Sequence, residues 1–354
     1  MNLKTMNKST RSNFITYAMV IVAFVVVQAM ASTGGISSSL KGQLVPICAY
    51  IVMAISLNLT VGVLGELSLG HAGFMSVGAF SGVITAMYFS QTIENTVVVM
   101  ILAMLVGGFA AAVVGVLVGV PVLRLSGDYL AIVTLAFGEI IKGIVNNLYV
   151  GMDANGLHFC MIKNTLEMEG GKMLLNGPMG LTGIPRIATF TMGFVLIMVC
   201  LIVIFNLVNS KSGRAIMALR DNKIAAQSVG INVTSYKLMA FVISAAMAGM
   251  AGVLFATNFS TVVASKFDIN TSILILVFVV LGGLGSMRGS IIAATVLTVL
   301  PEVLREFSEY RMLVYAIVLI VMMLATNNPT LKNAISNFTG KFKRNSGKGE
   351  KVNG

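Results

Sequence analysis

Long apolar runs set the first limit on what this chain can become. Segments at about 14–31, 44–64, 67–89, 96–120, 129–150, 187–208, 236–257, 271–283, 290–304 and 312–326 carry few charges or none. Runs of about 18 or more such residues match the thickness of a bilayer crossed as an α-helix. Hydrocarbon offers no water to backbone N–H and C=O groups, so only helices and closed barrels span it. Barrel strands alternate lipid-facing and lumen-facing residues, and these runs do not alternate. The expectation is an all-α fold, a polytopic transmembrane helix bundle with about 8–10 membrane segments. Composition argues the same way. Only 10% of the residues are charged and 56% are hydrophobic, against roughly a quarter charged in a soluble domain.

The net charge of +11 is read by position rather than as a sign of nucleic-acid binding, because Lys and Arg are retained on the cytoplasmic side of membrane proteins. The N-terminal tail, residues 1–13, carries Lys4, Lys8 and Arg11 and no acid, which puts it inside. Alternation from there places Arg124, the 209–235 loop, Arg288 and the basic tail 327–354 inside as well. The transmembrane domain is then 14–326, with 151–186 as an outer loop of balanced charge. Residues 271–300 could form one long helix, but that would send the basic tail outside. Gly282, Gly283 and Gly285 offer a turn instead, so two short helices meeting near the cytoplasmic face, or a re-entrant pair, are expected. The first run also resembles a cleaved signal peptide, with a basic start and Ala29-Met30-Ala31; its removal would leave the remaining topology unchanged.

Three cysteines make no disulfide framework, and with His71 and His158 alone no His-rich metal site is expected. The sequence holds no phosphate-binding Gly-x-x-x-x-Gly-Lys-Ser/Thr and no Gly-x-Ser-x-Gly or His-Glu-x-x-His. No catalytic, cofactor or metal residue is therefore assigned, and any ATP used in transport would bind another polypeptide. Small residues at helical spacing point to close helix packing: Gly107, Ala111, Gly115 and Gly119 in one run, and Ala245 with Gly249 and Ala248 with Gly252 in another.

Three constellations stand apart. Gly65 to Phe74 joins two apolar runs without a polar linker and contains Glu66, Ser68, Gly70, His71 and Gly73. Ionisable groups at membrane depth are costly and mark cavities or partners, and glycine-interrupted segments can line a transport path. The segment either borders the translocation pathway or serves as an interfacial turn. The second runs from Gly127 to Lys142. Asp128 suits a helix first turn, Thr134 and Gly138 share a face, with Thr134 grouped with the pathway residues, and Glu139 and Lys142 are spaced to pair. The third is the loop Gly213–Gly230, where Ile216, Leu219, Ile224 and Val229 fall near helical spacing and Gly230 ends the pattern. A short amphipathic helix here would either sit in a groove on another protein or rest on anionic lipid.

The run Gly213 to Gly230, followed by Lys237, Phe241, Ser244, Ala245, Gly249 and Gly252, resembles the permeases of branched-chain amino acid ABC importers, most closely their M-type subunit. Ser68 to Phe74, Gly127-Asp128-Tyr129, Gly180 to Pro185 and Leu281 to Ser286 are similar to that family as well. The resemblance implies a bacterial inner-membrane transport subunit, not an enzyme, with no cofactor of its own. It implies a second homologous permease, two cytoplasmic ATPase subunits that use the ATP, an extracytoplasmic amino-acid-binding protein and surrounding membrane lipid. It also implies that Gly213, Arg214, Arg220, Asp221, Ala225, Ala226 and Gly230 belong to a coupling helix that docks on an ATPase. Asp221-Asn222-Lys223 departs from the acidic pair often found around that asparagine, and the outer loop looks longer than usual. Permeases of urea or short amides, and ion-coupled secondary transporters, are the alternatives.

Overall fold

A computed structural model describes residues 8–304 except 36, 126, 154–155 and 162–170, together with 313, 316, 317 and 320. The chain divides into a unit of residues 1–298 and a unit of residues 299–354. Apart from residues 299–303, everything below belongs to the first; the expected last span at 312–326 and both tails lie largely or wholly outside the described residues.

The apolar runs form helices. They are α1 (Lys8–Ser32), α2 (Ser38–Asn58), α3 (His71–Phe89), α4 (Thr96–Val122), α5 (Asp128–Asn146), α6 (Phe190–Asn209), α7 (Lys211–Asp221), α8 (Lys223–Ser228), α9 (Val233–Ala256), α10 (Ile269–Gly282) and α11 (Met287–Val303). Among the described residues, seven helical stretches are long and apolar enough to cross a membrane. The fold is a polytopic helical bundle. α5, which carries Asp128, Glu139 and Lys142, is not among the seven.

α2 is the central pillar. It is apolar all round and buried along almost all of its second half, as expected of a helix enclosed by others. α3, α4 and α9 form a second compact group around small residues. A methyl group added at Gly78 would collide with the Gly249 backbone, and one at Gly107 would lie 2.8 Å from the Gly78 carbonyl. At Gly115 it would lie 2.8 Å from the Ala245 side chain. The two small-residue series seen in the sequence thus face each other, with α3 supplying the third surface. Lipid tails are as apolar as the helices, so backbone-close packing of this kind is what holds such a group together.

α10 and α11 confirm the expected break: Ser286 N–H donates to the Gly283 carbonyl at 2.9 Å in the turn between them. A small antiparallel sheet is the departure from an all-helical reading. β1 (Tyr149–Asp153), β2 (Gly156–Cys160), β3 (Lys172–Asn176), β4 (Leu181–Thr182) and β5 (Thr261–Val262) lie in the order β2-β1-β3-β4-β5. Val150, Leu175, Leu181 and Val262 are buried on it. Most of the loop expected at 151–186 is thus a folded cap, tied through β5 to the α9–α10 connection.

Candidate functional site

The functional candidates gather at one end of the bundle, where α2 stops being an ordinary helix. Its last residues, Leu59–Leu64, form a π-turn. Such turns widen the hydrogen-bond ladder and recur at functional positions. Gly65 then takes a left-handed backbone (φ 81°) that a side chain would strain. The Glu66 N–H reaches back to the Thr60 carbonyl at 3.1 Å. From Gly65 to Gly70 the chain is non-helical, and α3 begins at His71.

Each polar group of this interruption has a definite place. Glu66, half-buried, forms an ion pair with the buried Lys237 of α9. His71 Nε2 lies 2.8 Å from Ser56 Oγ, whose single proton is directed to the Met53 carbonyl at 2.9 Å. The Leu69 N–H donates to Thr134 Oγ1 at 3.1 Å, and the Ala72 N–H to Ser272 Oγ at 3.1 Å. Thr60, Ser68 and Ser76 have buried hydroxyls without a partner among the described residues.

The sequence reading singled out Glu66, Ser68, Gly70, His71, Gly73 and Thr134, and the structure brings all of them together. Ser68, Gly70, His71, Gly73 and Thr134 point into this chain, while Glu66, Leu67 and Leu69 are half-buried. The two glycines are contact points between helices: a methyl group at Gly70 would strike the Thr134 carbonyl, and one at Gly73 would lie 3.0 Å from Gly138 Cα. The partner of Glu66 was missed, because Lys237 lies 171 residues away in sequence. The Glu139–Lys142 pair forms as expected, at 3.1 Å.

The loop after α6 differs from the single amphipathic helix expected over Gly213–Gly230. It folds as α7 and α8, separated at Asn222, whose side chain caps α8 by accepting from the Ala225 N–H at 3.0 Å. Ile216 and Leu219 turn into the chain. Ala226 is also buried, against Leu219 and Val233, and so is not a surface contact. Ile224 and Val229 stand 80% and 76% exposed, beside exposed Ala225. Gly213 makes the α6–α7 corner, since a methyl group there would meet the Leu207 and Val208 carbonyls. Arg214 donates to the Asn209 carbonyl at 3.3 Å. Gly230 has φ 83°, and Ile231 N–H closes the end of α8 on the Ala226 carbonyl at 3.1 Å.

Arg220 links this loop to the interruption. Its Nη1 donates to the Gly62 carbonyl in the π-turn at 3.1 Å, while Nε and Nη2 lie 3.2 and 3.1 Å from Asp221 Oδ1. Its aliphatic stem lies against Gly65. The other side of the π-turn is joined to the α10–α11 turn through buried Asn58, which accepts from Gly285 N–H at 2.8 Å and donates to Ser290 Oγ at 3.0 Å. One turn of backbone therefore connects α7, the Gly65–Gly70 interruption and the α10–α11 turn.

This arrangement sits inside a region shared with known proteins. Residues 39–325 match the family model described as "Branched-chain amino acid transport system / permease component". The "High-affinity branched-chain amino acid transport system permease protein LivM" of Escherichia coli (strain K12) is 37% identical over 286 residues, covering 78% of this chain. That match spans 66% of the E. coli protein, a little under two thirds of its length. The "Probable branched-chain amino acid transport permease protein LivM" of Methanocaldococcus jannaschii is 24% identical over 300 residues, covering 74% of this chain and 79% of its own. The "Ribose import permease protein RbsC" of Haemophilus influenzae is 30% identical over 123 residues, covering 32% of this chain and 38% of its own. No solved structure matches. With the family model covering both the interrupted segment and the α7–α8 loop, the chain belongs to the family of branched-chain amino acid transport system permease components.

Proposed function

We propose that this chain is a membrane-spanning subunit of an ATP-binding-cassette importer that moves leucine, isoleucine and valine across a bacterial inner membrane. It pairs with a second, homologous permease. An extracytoplasmic binding protein delivers the amino acid, and separate cytoplasmic ATPase subunits supply the energy, so this chain needs neither a cofactor nor a nucleotide site of its own. The N- and C-termini and the α7–α8 loop face the cytoplasm, in keeping with the basic residues they carry.

The observation that carries this reading is the exposed apolar tip of α8 on a loop anchored to the bundle. Ile224 and Val229 project from a loop whose Ile216, Leu219 and Ala226 are buried. A partner groove that accepts them would be the ATPase, by the helix-in-groove mode. Movement of the loop passes through Arg220 to the π-turn, and from there to the interruption and the α10–α11 turn.

Gly65–Gly70 is the gate in this scheme. Leu67 and Leu69 are its half-buried faces toward the pathway, and Glu66–Lys237 holds the cytoplasmic end. The hydroxyls of Thr60 and Ser68, buried without partners among the described residues, support a segment that re-pairs when it moves. A zwitterion with an apolar tail needs weak contacts along such a path, because tight binding would trap it.

Uptake of labelled leucine into vesicles holding this chain with its purified partners tests the proposal. Uptake should require ATP and the binding protein. Uptake driven by an ion gradient without ATP would assign a secondary transporter instead. ATP-dependent uptake of urea or short amides, with none of leucine, would assign the other branch of the family.

A further inference from the structure

A cavity of about 390 Å³ opens at the end of the bundle that carries α7, between α1, the end of α6, the π-turn and the α10–α11 turn. Asn13, Asn209, Ser286 and Arg288 supply its polar wall, and Phe205 and Val208 part of its apolar one. Among the described residues, no acidic side chain lines it. Arg288 is fixed in place, with Nε donating to Thr16 Oγ1 at 2.7 Å. A second guanidinium lies nearby, since Arg214 is bound to the Asn209 carbonyl. A cavity of this size takes a small molecule rather than a bare ion, and its charge selects an anion.

The level of the cavity narrows the ligand further. On α1 the wall residue Asn13 is followed at once by Phe14 and Ile15, both exposed, and further along by exposed Val22 and Val25. α6 likewise turns Val199, Ile202 and Val203 outward. The two helices are held together beside the cavity by Tyr17 and Phe205, whose rings meet edge to face at 5.4 Å. The cavity thus lies where the helix surface changes from polar to apolar, which is the depth of lipid headgroups. Basic pockets between membrane helices on the cytoplasmic side suit anionic headgroups, and guanidinium groups match phosphate geometry.

We propose that this cavity holds the phosphate headgroup of an anionic membrane lipid, with Arg288 as its cation and the acyl chains lying along the exposed apolar faces of α1 and α6. The assignment rests on the membrane reading of the chain and its orientation, and not on which solute is transported. A lipid held there touches the α10–α11 turn through Ser286 and the π-turn through Val63.

The full chain, extracted with its partners, is titrated with phosphatidylglycerol or phosphatidylcholine of equal chain length and read by native mass spectrometry. Phosphatidylglycerol should be retained in preference. Arg288→Gln should lower that retention about fivefold, the loss of one cation's attraction to an anionic headgroup, and Arg288→Lys should keep most of it. In the wild-type protein, phosphatidylglycerol carrying a photoreactive acyl chain should crosslink to α1 and α6, which needs no variant to fold. Equal retention of the two lipids, or crosslinks spread evenly over all helices, would overturn the proposal. Displacement by millimolar inorganic phosphate would also overturn it, assigning a soluble anion. None of these readouts depends on transport, so a failure of leucine uptake leaves them standing.

Discussion

Lys237 and Glu66 carry opposite charges at 4% and 13% side-chain exposure. Removing one partner of a buried pair strands the other, a cost of roughly 3–5 kcal/mol. Lys237→Met should therefore lower the melting temperature of the purified protein sharply, and adding Glu66→Gln should recover most of the loss. A single variant as stable as the parent would remove the pair from the account of the interruption. Arg220→Ala is expected to act differently. Its bond to the Gly62 carbonyl is half-exposed and contributes little stability, so the variant should fold and still bind the ATPase. Uptake per ATP hydrolysed should fall, and an unchanged ratio would deny the link through the π-turn. The sequence placed Glu66 and Arg220 among the functional residues but could not give their partners. Each contact spans more than a hundred residues and depends on how the helices pack, while Glu139 and Lys142, on one helix turn, were legible from spacing alone.

The loop helices α7 and α8 divide apolar residues between two duties. Ala226 is packed against Leu219 and Val233, so Ala226→Glu buries an unpaired charge and should destabilise the chain by roughly 1–3 kcal/mol or more. Ile224→Glu changes a residue that is 80% exposed. It should leave the melting temperature unchanged while abolishing ATPase stimulation and uptake together; uptake at the parental rate would make α8 a lipid-facing helix. The sequence pattern ran through Asn222 without a gap, because Ile216, Leu219, Ile224 and Val229 fit a continuous helix almost as well as a broken one. Only the cap at Asn222, which redirects the chain, separates the inward pair from the outward pair. The sheet was hidden for another reason. Its strands run from 2 to 5 residues, and β5 comes from a distant loop, so no local alternation marks it. By contrast, charge and glycine together made the α10–α11 turn legible.

The orientation of the whole molecule can be read with the cysteines it already has. Cys48 and Cys200 are buried, while Cys160 is half-buried on β2. An impermeant maleimide added to intact cells should label the protein at Cys160 alone. After Cys160→Ser, a cysteine at Ser228 should react only in inside-out membranes. Labelling of that cysteine from outside would invert the topology. The bundle itself was the most legible feature, since length and apolarity alone require it; the mutual contact of the glycine series was not, as spacing shows a face but not what it meets. That contact has a mechanical meaning. Where α3, α4 and α9 touch backbone to backbone, no side-chain rotation can widen the seam. These three helices travel as one rigid slab, and whatever bending a transport stroke requires falls to the joints at Leu59–Leu64, Gly65–Gly70 and Gly283–Ser286.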